Sequence, residues 1–264
     1  MRRRGPPSSS PRGAPQTGVK RLIVNADDFG LTANVNRAML DGHCRGVITS
    51  ASRLSNGEAF ESAVAVALQA PRLGVGIHLN LTEGKSVAAG LDVPSLVNSQ
   101  GQFNRTSASL WRALVLGGVS AADVEKEWRA QIEKVLAAGV APTHLDSHKH
   151  VHALPVLGKM AIRLARQYCI PAIRCVAERQ RGARRLLPRY PRAAKTVLRQ
   201  LLNSCALATI SRSWTGELER AGIVCASDFY GLTATGLLDE ETLREILSRL
   251  RDGASELMCH PGWP

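Results

Sequence analysis

Four of the chain's seven histidines and one carboxylate fall within ten residues, in Thr143-His-Leu-Asp-Ser-His-Lys-His-Val-His152. Imidazole nitrogens and carboxylate oxygens at this density suit zinc and similar divalent ions. If His144 to Asp146 form a short strand before the chain turns, Asp146 and His148 face one pocket, because alternate strand residues point the same way. A polar loop, or a histidine tract that binds metal loosely without chemistry, would use the same residues. Further acid and base groups lie elsewhere. Asp27 and Asp28 follow the apolar run Leu22-Ile-Val24, His78 sits within Leu73–Leu81, Arg174 lies near the end of Ile170–Cys175, and His260 stands just past Glu256–Cys259. Taken singly, an Asp-Asp pair is also a common turn or helix cap, and a lone histidine in an apolar strand is usually a satisfied core residue.

The segments that position these residues alternate between two periods. Short apolar, β-branched runs at 20–26, 46–52, 73–81, 170–175, 223–227 and 256–259 read as strands. Helical spacing separates them after residue 31, at 58–69, over about 121–137 behind a Ser120/Asp123 capping box, at 155–168 and at 239–251. Six or seven β/α repeats follow from this alternation. Asp27, Asp28, His78, His148, Arg174 and His260 then all stand at or near C-terminal strand ends, which a parallel barrel gathers around one mouth. A carboxylate and two imidazoles with an open position there would activate water for hydrolysis.

Composition bounds the reading. A chain of 264 residues with 44% hydrophobic content can bury one large core. Six cysteines without a CxxC pair read as reduced thiols of a cytoplasmic protein. No apolar run is long enough to span a membrane, and no signal-peptide pattern opens the chain. The formal charge of +12 is concentrated: residues 1–21 carry +6 and residues 174–212 carry +9, leaving the remainder at −3. The tail at 1–18, rich in Arg, Pro, Ser and Gly, is expected to be disordered. Aromatic content of 4%, without helix-turn-helix or zinc-finger spacing, argues against a nucleic-acid partner. A basic nucleic-acid binder that uses metal structurally and a catalytically idle metal-binding protein stay as alternatives.

Five ordered motifs carry a family resemblance: Val24-Asn-Ala-Asp-Asp-Phe-Gly-Leu31, Gly46-Val-Ile-Thr-Ser-Ala-Ser52, Gly74-Val-Gly-Ile-His-Leu-Asn-Leu-Thr-Glu-Gly84, Pro142-Thr-His-Leu-Asp-Ser-His-Lys-His-Val-His152 and His260-Pro-Gly262. Together they resemble the YdjC-like carbohydrate deacetylases, which include the chitooligosaccharide deacetylases. The basic insertion and Asp228-Phe-Tyr-Gly-Leu232 are similar to the hopanoid-biosynthesis-associated branch, HpnK. The resemblance implies a distorted (β/α) TIM-like barrel over 19–264 that removes an acetyl group from an acetylated aminosugar or glycolipid. It implies one divalent ion, Zn2+ or Mg2+, on Asp28, His78 and His148, with Asp27 as general base and His260 as the acid for the leaving amine. Asp146, His150, His152 and Arg174 are assigned to holding those groups or touching the sugar. The implied substrate is a hopanoid-linked N-acetylglucosamine, with soluble chitooligosaccharides as the alternative, and a homodimer is compatible with this reading.

Two departures stand out. Arg53 occupies a place where the family pattern continues with an apolar residue, and the chain stops two residues after His260-Pro-Gly262, so the reading includes a C-terminus cut short. The basic insertion at about 176–215 contains Val197, Leu198, Leu201, Leu202, Cys205 and Ala208 at three- and four-residue steps, the pattern of an amphipathic helix. Packing on its own domain would explain that stripe. The flanking Arg184, Arg185, Arg189 and Arg192 instead suggest peripheral contact with the anionic inner membrane face.

Overall fold

The computed structural model describes residues 18–178 and 183–263. The tail expected to be disordered therefore lies outside the described residues apart from Gly18, as do the side chains of Arg184 and Arg185. Six strands form one parallel sheet: β1 (Lys20–Phe29), β2 (Ser50–Leu54), β3 (Gly74–Leu79), β4 (Leu145–Ser147), β5 (Asp228–Tyr230) and β6 (Gly253–Cys259), in the order β4-β3-β2-β1-β6-β5. The inner position of β1 explains why its apolar run passes straight into buried polar residues: Val24 to Asp27 are all buried between flanking strands and covering layers.

The expected barrel does not close. The segments 170–175 and 223–227 make isolated bridges, Leu145 with Ile173 and Ala172 with Val224, while Glu178 bridges Phe229 of β5. Pro171 has no N–H to give to a ladder, and the segment changes partner from β4 to Val224 within two residues. The result is a curled, open sheet whose gap is spanned by single bridges.

Helices cover the sheet: α1 (Ala33–Cys44), α2 (Phe60–Gln69), α3 (Ser107–Val115), α4 (Ala121–Ala137), α5 (Pro155–Gln167), α6 (Ala183–Arg189), α7 (Ala194–Ser213), α8 (Thr215–Ala221) and α9 (Glu240–Ser248). One apolar cluster joins Met39, Ala63, Trp128, Ile132, Leu157 and Leu164 to the strand residues Ala51, Ile77 and Leu145. Each large side chain fully buried there contributes about 1.5–3 kcal/mol. The capping box expected for α4 is built differently. Ser120 accepts from Ala122 N, but Asp123 turns away to accept from Ser95 N and Oγ at 3.0 and 2.8 Å. Ser95 Oγ in turn accepts from Ser120 N, which ties the helix start to the preceding loop.

The basic insertion also differs from expectation. On α7, Val197 and Ala208 are buried, but Leu198 and Leu202 are 50% and 63% exposed, because the helix turns Ser204 and Ser211 inward instead. Ser204 Oγ donates to buried Glu178, whose carboxylate also accepts from Gly231 N and Thr233 N. Arg189 does not face outward to head groups: it pairs with Asp239 and Glu241 of the same chain at 2.7 and 2.9 Å. Arg192 is exposed. Among the described residues, no helix is long and apolar enough to cross a membrane.

Candidate metal centre and its cavity

Strand β1 delivers two adjacent carboxylates, which a regular strand would point to opposite faces. A register shift between Ala26 and Phe29, with Asp28 at φ 66°, breaks that alternation. Such a bulge re-aims side chains, and an aspartate held in the left-handed region stores strain of about 1–3 kcal/mol that the surrounding contacts must offset. Asp27 is buried against Arg174 while reaching the cavity wall, and Asp28 turns to His78 and His148.

Asp27 is gripped by Arg174, whose Nη1 and Nη2 donate to its two oxygens at 2.7 Å. Arg174 also reaches Asp146 Oδ2 at 2.8 Å and, through Nε, Glu256 at 2.7 Å. Burial alone would push the Asp27 and Asp146 carboxyls up, and Arg174 together with His78 more than reverses this, holding both below the usual range. Glu256, third in line, stays raised by burial. Asn25 and Ser52 complete the cluster: Asn25 Nδ2 donates to Asp27 Oδ1 and to Ser52 Oγ at 2.8 Å, and Ser52 Oγ donates to Asp146 at 2.7 Å.

Two trios could hold an ion, each with candidate ligand atoms within 4.8 Å of one another: Asp28, His78 and His148, and Asp27, His78 and Asp146. The second already surrounds a cation, the Arg174 guanidinium. The first fits a metal. His78 places Nδ1 2.8 Å from Asp146, which leaves Nε2 facing Asp28 Oδ1 at 3.4 Å. A carboxylate on the far ring nitrogen is the usual device for fixing a ligand histidine's tautomer and orientation. Burial opposes charge on His78, but Asp146, Asp28 and Asp27 outweigh it and raise its pKa to about 10. The pocket thus demands positive charge, and an ion would take the place of that proton. His148 lies between Asp28 at 2.8 Å and Glu83 at 3.2 Å.

The turn after β4 delivers the remaining histidines through two consecutive left-handed residues, Lys149 and His150 at φ 54° and 55°. His148 lines the cavity while Asp146 is buried behind His78, and the two are linked through His78 and Asp28. His152 is buried with both ring nitrogens engaged, Nδ1 with Ser147 Oγ at 2.6 Å and Nε2 with the Arg174 carbonyl at 3.0 Å, which places it beneath the site. Burial, aided by Arg174, lowers its pKa to about 4. His150 is buried against Phe229, and His144 reaches Ser52 Oγ at 3.0 Å. The His144 ring lies so close over β3 that a Cβ on Gly76 would come within 2.3 Å of it. His260 is exposed past β6.

A cavity of about 920 Å³ opens over these groups, with Asp27, His78, His148, His150 and His260 on one side. Helices α3 and α7 form the other, through Trp111 and through Arg199, Gln200, Asn203, Leu207 and Ile210. Sequence reasoning placed neither helix here. Residues 84–119 carry no clear period, and the α7 stripe suggested an outward role.

A family model described as YdjC-like protein matches residues 21–264. The chain belongs to the YdjC-like family. Two YdjC-like relatives are carbohydrate deacetylases. The protein from Brevibacillus brevis is 45% identical over 151 residues, which is 57% of this chain and 58% of that one. That from Halalkalibacterium halodurans is 33% identical over 245 residues, covering 92% of this chain and 85% of its own length. A crystal structure from Enterococcus faecalis V583, described as a candidate cellobiose-phosphate cleavage protein, superposes with a TM-score of 0.70 at 27% identity, over 93% of this chain and 82% of that chain. The fold is therefore shared with that structure.

Proposed function

We propose that this protein is a metal-dependent N-deacetylase of an acetylated aminosugar, held as a glycoside of an apolar aglycone. The observation that carries the reading is the Asp28–His78–His148 trio, with a second carboxylate, Asp146, set behind His78. A divalent ion bound there would polarise the amide carbonyl and make its water more acidic. Asp27, kept ionised by Arg174 and facing the cavity, takes the proton from the attacking water. His260, just past the end of the neighbouring strand β6 and open to solvent, returns a proton to the leaving amine. Amide and water thus give acetate and a free aminosugar, with one proton carried from Asp27 to His260 through the cycle. Arg174 acts on Asp27 and Asp146 and stays away from substrate, since its side chain is fully buried among three carboxylates.

Support for the acetylated-sugar class comes from the carbohydrate deacetylases among the relatives. Support for an apolar aglycone comes from the wall of Ala108, Trp111, Leu207, Ile210 and Leu232. A hopanoid-linked N-acetylglucosamine, the substrate implied by the HpnK resemblance, meets both conditions. Such a substrate lies at a membrane, where the exposed Leu198 and Leu202 of α7 would rest. The test is acetate release from N-acetylglucosaminyl glycosides with soluble and apolar aglycones, before and after chelation. Equimolar acetate and free amine, lost with chelator and restored by Zn2+ or Mg2+, is the expected result. Turnover indifferent to chelation, or no acetate from any glycoside by metal-loaded protein, sinks the proposal.

A further inference from the structure

The cavity contains two polar atoms that the chemistry above does not use. Gln200 Oε1 and His150 Nδ1 are both buried and have no hydrogen-bond partner, and both residues line the same space. A buried acceptor left unpaired costs about 1–3 kcal/mol, so native proteins keep few of them without a reason. For Gln200 the orientation is fixed. Its Nε2 donates to the Thr235 carbonyl at 2.9 Å, and because a carbonyl can only accept, the amide nitrogen must stay there. Oε1 is then committed as an acceptor with nothing among the described residues to meet it.

Gln200 also stands apart from the machinery. It lies on α7, outside the strand-end scaffold, and its amide donates to the loop after β5. Arg199 and Asn203, beside it and three residues on, face the same cavity. The opposite wall holds Asp27 and, from the trio, His78 and His148, so a ligand reacting there presents its remote side to α7. A neutral, pre-oriented acceptor recognises an O–H or N–H donor, and a sugar ring is dense in such donors. Resting on the deacetylase reading, we propose that Gln200 is a specificity-determining residue that accepts a hydrogen bond from one ring hydroxyl of the sugar substrate. The basic insertion is then the part of the chain that reads the sugar, while the strand ends carry out the reaction.

The experiment compares wild type with Gln200→Met, which keeps length and helix propensity but removes the acceptor. Both are given the acetylated aminosugar glycoside and a set of its mono-deoxy analogues. In wild type, loss of one particular hydroxyl should lower kcat/KM about 10- to 100-fold, chiefly through KM, because removing it leaves Oε1 unpaired again. Gln200→Met should lose a similar factor on the full substrate and should treat that analogue and the parent alike. Gln200→Leu, judged by the same ratio, serves if the methionine variant folds poorly. Binding of the deacetylated glycosides by calorimetry gives the same comparison without turnover. Discrimination among the deoxy analogues that is unchanged in the variants overturns the proposal, and shows that no substrate hydroxyl reaches Oε1. Absence of acetate release by wild type would instead count against the deacetylase reading, and the calorimetric comparison would still decide on Gln200.

Discussion

The two walls of the cavity are built on opposite principles. The strand-end wall packs Asp27, Asp146 and Glu256 around one guanidinium and ties Asp27 to Asn25 and Asp146 to Ser52 and His78, so that removing Arg174 leaves three charges uncompensated. The α3–α7 wall is mostly apolar, and its polar groups are few and sparsely bonded. A dense, cross-tied network fixes reacting groups within the tolerance that chemistry needs. A sparsely tied wall can change residues without disturbing that network, which suits recognition. The contrast predicts that substitutions on the first wall damage stability and turnover together, and that those on the second alter substrate choice alone.

The largest effect should come from Arg174→Met. It strands three buried carboxylates, and breaking a buried ion pair from one side costs about 3–5 kcal/mol. Urea unfolding at pH 7 measures it, and a loss below about 1 kcal/mol would show that the network is not the keystone described. Next comes acid sensitivity through His152. Its folded pKa of about 4 lies below the ordinary 6.5, so the unfolded chain binds more protons between those values, and stability falls as pH drops from 6.5 toward 4. The contribution is on the order of 3 kcal/mol. His78 works the other way in the metal-free protein, adding stability below 6.5 that is lost as pH rises toward 10. Melting curves of metal-free wild type and His152→Gln at pH 7 and pH 5 isolate the first effect: the variant's stability should depend less on pH. A steeper dependence in the variant would contradict the sign.

The adjacent aspartates sharpen the comparison within the first wall. Asp27→Asn should retain bound metal while lowering turnover about 100-fold or more, and Asp28→Asn should lose both. Metal analysis alongside acetate assays decides, and reversed phenotypes would exchange the two roles. On the second wall, Ile210→Ser should raise KM for an apolar glycoside about 10-fold while leaving a soluble one nearly unchanged, since only the former uses that surface. The smallest effect belongs to Arg53. Its guanidinium is buried over the Phe60 ring with all three nitrogens unpartnered, and burial lowers its pKa to about 10. Arg53→Met should be neutral or stabilise by about 1 kcal/mol in thermal melts. A loss of several kcal/mol would mean that the cation–π contact outweighs the missing hydrogen bonds.

Much of the first wall was legible before any coordinates, because β/α alternation marks strand ends and Asp27, Asp28, His78, His148 and Arg174 all stand there. The partners that set their behaviour were not. Asn25, Ser52, His144 and Glu256 look like ordinary strand or turn residues, and only the curl of the sheet brings them together. Glu83 offers no signal beyond charge. The second wall was invisible for a different reason: α3 follows a stretch without period, and α7 turns Arg199, Gln200 and Asn203 toward the cavity, opposite to the docking role its leucines suggested. The gap in the barrel depended on Pro171 and on where Arg174 had to point, which a run of apolar residues does not encode. On α4, buried Glu127 and Gln131 interrupt the apolar face in order to hold the backbone of Val87, Ala88 and Asn80.

The segment that bridges the open edge of the sheet also has an effect on how the molecule comes into being. Arg174 lies 147 positions after Asp27, and Glu256 a further 82 on. As the chain emerges from the ribosome, β1 to β4 can pair early, yet their rim holds Asp27 and Asp146 with no countercharge until residue 174 is made. Contacts of such sequence separation form slowly. The half-made sheet is therefore a cluster of acidic groups awaiting a cation, and a divalent ion captured at that stage would compete with Arg174 for Asp27, His78 and Asp146. Once Arg174 is in place its guanidinium fills the inner set, which leaves Asp28, His78 and His148 as the group open to an ion.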